Sequence, residues 1–99
     1  MAARLRAARA VLGMSQKALA EEAGVALVSV NLIERQESSP RLETVEAIEA
    51  VFRAHGIQME TDRDGQQTLR LSPELIQELA ERRARGEAVT ARGKIHRSE

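Results

Sequence analysis

The chain has 99 residues, enough for one domain with a modest core and too few for two. Fifteen Lys and Arg balance fifteen Asp and Glu, so overall charge announces no nucleic-acid partner, and any such binding must rest on local charge. There is no Cys, which excludes disulfides, thiolate metal sites and cysteine nucleophiles, and Phe52 is the single aromatic residue, which argues against single-strand binding by base stacking and leaves an aliphatic core.

The lack of Cys fits a reducing compartment, and the cytoplasm is the expected location. No apolar run approaches the roughly 20 residues of a membrane span, and the opening stretch "MAARLRAARAVLGM" lacks the long apolar region of a signal peptide. Residues 2 to 12 instead place Leu5, Ala8 and Leu12 at helical spacing, with Arg4, Arg6 and Arg9 between them, and Gly13 ends this first helix. Ser15 is a good N-cap for a second, "QKALAEEA", whose inner face is Leu19, Ala20 and Ala23 and which stops at Gly24.

A third helix over residues 26 to 35 follows after one intervening residue, Val25, so the second and third helices must cross sharply, at helix-turn-helix spacing. Val30 and Ile33 are expected to face inward, which leaves Leu27, Val28 and Leu32 facing out. After "ESSPRLET", where Ser and Pro break the chain, Leu42, Val45, Ile48 and Phe52 mark a fourth helix that His55 and Gly56 close.

Residues 57 to 71 alternate apolar with polar around Asp64-Gly65 and read as a hairpin. A two-residue turn would set Met59 opposite Arg70 and mix the two faces. A loop of Arg63, Asp64 and Gly65 instead pairs Met59 with Leu69, Ile57 with Leu71 and Gln58 with Arg70, with Gly65 left-handed in a bulge. "SPEL" then supplies an N-cap, a proline at the first helical position and an acidic first turn for a last helix to about Arg85, with Leu75, Ile76 and Leu79 as its apolar edge. Residues 86 to 99 show no periodicity and are expected to be a disordered tail.

An enzyme is not expected. His55 and His96 lie in a helix end and a tail, there is no Gly-rich phosphate loop, and the carboxylates are scattered on exposed helical positions. The same scatter argues against a metal site, and no cofactor is implied.

The segment from Leu5 to Ile48 resembles the helix-turn-helix of the Cro and phage-repressor family, also called the XRE family. The residues that carry the likeness are "LRAARAVLGMSQKALAEEAGV", "SVNLIE" and "SPRLETVEAI": an Arg four before the first Gly, Ser-Gln opening the second helix, Leu-Ala inside it and Gly-Val at the turn. The resemblance implies that Arg9 and Glu34 form a mostly buried salt bridge of structural role. It implies that the third helix enters the major groove with Leu27, Val28, Ser29, Asn31 and Leu32 as base-reading positions. Gln16, at a helix start where a phosphate oxygen can dock, is the first of the phosphate contacts, followed by Lys17, Arg35 and Arg41.

At those reading positions Leu and Val offer apolar contact, principally to thymine methyls, where polar amides or Arg would make bidentate bonds. Three readings of the patch stand: thymine-methyl recognition, a protein interface, or partial cover within the fold. The expected fold is a mainly helical repressor-like bundle of four to five helices with a C-terminal hairpin and a further helix. Residues 1–56 would bind DNA, and 57–85 would dimerise or bind a partner through Ile57, Met59, Leu69, Leu71, Leu75, Ile76 and Leu79. The expected function is a homodimeric, sequence-specific regulator of double-stranded DNA, a repressor acting by promoter occupancy, with no membrane role. The alternative is an antitoxin or other interaction subunit whose C-terminal part holds a toxin or another partner protein.

Overall fold

Ser15 starts the second helix by accepting a hydrogen bond from the Ala18 amide at 3.0 Å, and Gly24 ends it in the left-handed conformation, φ 70°. The Gly24 amide donates back to the carbonyls of Ala20 and Glu21, and the Val25 amide to Ala20 at 3.0 Å, so the last turn of that helix leaves few carbonyls unpaired. This is the turn that swings the chain into the third helix. The computed structural model describes residues 2–36 and 39–86, and in order the elements are α1 (Ala2–Leu12), α2 (Gln16–Ala23), α3 (Leu27–Glu34), α4 (Leu42–Ala54), β1 (Ile57–Thr61), β2 (Gln67–Leu71) and α5 (Pro73–Ala84). The fold is mainly helical, four helices followed by an antiparallel hairpin and a fifth helix. Apart from Gly86, the tail expected over 86 to 99 lies outside the described residues.

The hairpin register is the one that the apolar alternation demands: Ile57 pairs with Leu71, Gln58 with Arg70 and Met59 with Leu69. The loop is closed locally. Asp62 accepts from the Gly65 amide through its carbonyl at 3.1 Å, and from the Asp64 and Gln66 amides through its carboxylate at 2.9 and 2.8 Å, while Gly65 is left-handed with φ 81°. At the other end the Ser72 amide donates to the Gly56 carbonyl at 2.8 Å, and Ser72 then caps α5 by accepting from the Leu75 amide at 3.1 Å.

One apolar cluster runs through all of this. Leu5, Ala8, Leu19, Val30, Ile48, Phe52 and Ile57 have no exposed surface, and Met14, Ala20, Ile33, Val51 and Leu75 complete the cluster. Ile57 and Leu75 are thus part of the same core as the helix-turn-helix, with Met59, Leu69, Leu71 and Leu79 packed on its margin. Such a core explains why two strands suffice, since an isolated hairpin is marginal.

Three apolar side chains depart from the simple stripes. Leu42, the first residue of the expected α4 pattern, is 69% exposed, and the buried stripe of α4 is Ile48, Val51 and Phe52. Ile76 is 55% exposed, so only Leu75 and Leu79 form the inward edge of α5. Leu32, expected to face outward, is half-buried. Periodicity identifies a face of a helix but not how far the neighbouring elements extend over its rim.

Candidate nucleic-acid interface

The inward side of α3 is made by Val30, Ile33 and Glu34. Glu34 is a carboxylate with only 4% of its side chain exposed, and such a group needs partners. Arg9 of α1 supplies them: Nε donates to Oε2 at 2.5 Å and Nη2 to Oε1 at 2.7 Å, a bidentate grip, while Nη1 donates to the Met14 carbonyl at 2.9 Å. Arg6, on the same side of α1 three residues earlier, donates from Nη1 to the Glu34 carbonyl at 2.7 Å and so satisfies an orphan acceptor in the last turn of α3. The pair therefore fixes α3 against α1.

The network continues toward the surface. Gln16, the first residue of α2, donates from Nε2 to Glu34 Oε1 at 3.0 Å, and Asn31 donates from Nδ2 to Gln16 Oε1 at 3.4 Å. Arg35 donates from Nη1 to Asn31 Oδ1 at 3.3 Å. The Gln16 contact is well formed; the two Asn31 contacts are longer than a good N–H···O bond and hold that side chain loosely. Gln16 keeps a second amide hydrogen beyond the one given to Glu34.

Around this chain the remaining sequence-predicted residues are arranged as follows. Leu27 and Val28 are exposed, at 47% and 62%, and begin α3 without a side-chain cap on Ala26. Ser29 and Asn31 are half-buried, as is Leu32. Lys17 in the first turn of α2, Arg35 at the end of α3 and Arg41 at the start of α4 are exposed. The structure joins Gln16, Asn31, Glu34, Arg9 and Arg35 into one hydrogen-bonded chain.

Of the residues assigned to dimerisation, Ile57 and Leu75 are buried within the monomer, and Met59, Leu69, Leu71 and Leu79 are half-buried against its core; Ile76 alone is exposed. Two contributions were not foreseen. Arg6 holds the α3 terminus, and its spacing of three from Arg9 was the available signal. The Gln16–Asn31 contact joins two helices and had no signal in local sequence.

No helix among the described residues is long and apolar enough to cross a membrane. Comparison with curated proteins and with solved structures gave no match. The family described as helix-turn-helix matches residues 5–55, just over half of the chain and the span from the middle of α1 to the end of α4. With two crossed helices, an outward-facing α3 and this match, the chain belongs to the Cro and phage-repressor, or XRE-type, helix-turn-helix family of DNA-binding regulators.

Proposed function

We propose that the protein is a homodimeric repressor that binds a specific double-stranded operator and blocks transcription by occupying promoter DNA. The observation that carries this reading is the division of α3: its inner side is locked to α1 and α2 through Glu34, while Leu27 and Val28 in its first turn stand exposed, as do the cations Lys17, Arg35 and Arg41. Phosphate contacts from Gln16, Lys17, Arg35 and Arg41 position the protein on the duplex; Leu27, Val28, Ser29, Asn31 and Leu32 read the major groove.

Leu27 and Val28 are best suited to thymine methyls, and Asn31, loosely held, can exchange its long contacts for an adenine edge. Residues 1–56 carry the DNA contacts and residues 57–85 the dimer contact, as a division of labour over one continuous core. The protein acts in the cytoplasm and uses no cofactor.

Selection of bound sites from random duplex DNA with the purified protein tests this reading. Enrichment of an A·T-weighted palindrome with half-sites about one helical turn apart is expected. No enrichment above bulk affinity at moderate salt would replace it with a protein-interaction role.

A further inference from the structure

Arg53, in the last turn of α4, has neither a hydrogen bond nor an ion pair among the described residues, although Glu49 precedes it by four positions. Arg70, in β2, is held there only by the Glu60 carboxylate at 3.5 Å, longer than a good N–H···O bond, and 67% of its side chain is exposed. Both guanidinium groups line one groove of about 440 Å³ at the base of the hairpin, and Gly56, Gln58, Leu71 and Ser72 complete its lining. The end of α4, both strands and the start of α5 meet at this groove.

Its lining is made of donors and holds no carboxylate. Gln58 and Arg70 are cross-strand partners, so both project from the outer face of the hairpin, opposite the face through which Ile57 and Met59 meet the core. The Gln58 carboxamide has no partner among the described residues. Ser72 Oγ accepts from the Leu75 amide at 3.1 Å and keeps its own hydrogen to donate. Carboxylates stand in the adjoining hollows, Glu49 and Glu60 on one side and Glu74 and Glu78 on the other, yet none comes within ion-pair distance of Arg53.

Two guanidinium groups, one without an acceptor and one weakly held, suit an oxyanion that each can grip through paired N–H···O bonds. Gln58 and Ser72 add neutral donors, and Leu71 adds an apolar edge. The groove falls in the range of about 300 to 1,000 Å³ usual for small-molecule sites.

We propose that this groove binds the phosphate or carboxylate group of a small organic molecule, which bridges Arg53 of α4 to Arg70 of β2. The site is independent of the operator reading above, and it places an effector at the joint between residues 1–56 and 57–85. Glu60 is its internal competitor, releasing Arg70 when the anion arrives.

Nuclear magnetic resonance titration of the isotope-labelled full chain tests this, with sodium phosphate and separately with sodium succinate, at fixed pH and with ionic strength held by sodium chloride. The amides of Gly56, Gln58, Arg70 and Ser72 and the Nε–H signals of both arginines should shift to saturation, with a dissociation constant on the order of 1 mM or below. Arg53→Gln and Arg70→Gln should each raise that constant about fivefold or more, while Glu60→Gln, which removes the competitor, should lower it. All three side chains are exposed, so the circular dichroism spectrum should not change. Saturation by either anion supports the site, and the tighter of the two names the class of ligand. Shifts that never saturate, that spread equally to Lys17, Arg35 and Arg41, or that persist in the double arginine variant would overturn it. The same signals moving only with duplex DNA would also overturn it and make the groove a further backbone contact.

Discussion

Arg9 and Glu34, twenty-five residues apart, meet as a bidentate ion pair of 2.5 and 2.7 Å with 9% and 4% of their side chains exposed. The pair is dry enough that removing either partner strands a buried charge. Arg9→Ala or Glu34→Ala should each cost about 3 to 5 kcal/mol in urea denaturation. Replacing both by apolar residues should cost less than the sum of the singles, because neither charge is then left alone. A loss below about 1 kcal/mol for the single variants would place the pair with surface ion pairs instead.

Backbone conformation gives a second, graded expectation. Gly56 has φ 95°, and a Cβ there would lie 2.6 Å from Ser72 Oγ and 3.1 Å from Leu75 Cβ; Gly24 has φ 70° and open space around it. Gly24→Ala should cost about 1 to 2 kcal/mol from its left-handed backbone alone, and Gly56→Ala more. Gln36 occupies the same left-handed region at φ 58° after α3, so Gln36→Gly should stabilise the protein by about 1 kcal/mol. Thermal melts of the three variants check the order.

Salt dependence tests the phosphate contacts. Arg35→Ala should weaken all duplex sequences about equally and reduce the slope of log affinity against log salt by about 1. Lys17→Ala should act alike, and an unchanged slope would remove either residue from the phosphate set.

The proposed reading of thymine methyls is tested on the DNA. Replacing contacted thymines by uracil deletes the methyl and keeps the base pair, and each lost contact should cost on the order of 0.5 to 1 kcal/mol. Leu27→Ala and Val28→Ala should weaken binding to the thymine operator more than to the uracil one, with the melting temperature nearly unchanged, since both side chains are exposed. Leu32→Ala should affect binding and stability together, because Leu32 is half-buried. Equal affinity for the two DNAs at matched salt would leave the apolar patch to a protein partner.

Much of this architecture was legible because its determinants are local. Ser15, Gly24, Ser72 and Pro73 set helix ends by their own chemistry, and the alternation of Ile57, Met59, Leu69 and Leu71 fixed the hairpin register and placed Gly65 in its left-handed position. What was not legible depends on neighbours distant in sequence. Leu42 and Ile76 continue apolar patterns yet remain exposed, because nothing in a helical period says where the covering element stops.

Among the residues expected to serve a second copy, Ile57 of the hairpin and Leu75 of α5 are buried in the monomer's own core, and Met59, Leu69, Leu71 and Leu79 pack on its margin. The family resemblance named Arg9 and Glu34; the onward links through Gln16, Asn31 and Arg6 required the spatial crossing of α1, α2 and α3.

The separation of α3 into two sides bears on how such a protein can change over time. Val30, Ile33 and Glu34 hold the helix, whereas Leu27 and Val28 touch solvent. If these two positions read the operator as proposed, substitutions there would alter its sequence preference at little cost to stability. Asn31 is the exception: through Gln16 it is linked to the buried carboxylate, and drift there is coupled to the anchoring of the helix itself. On the proposed groove contact, the positions freest to change are therefore those in the first turn of one short helix.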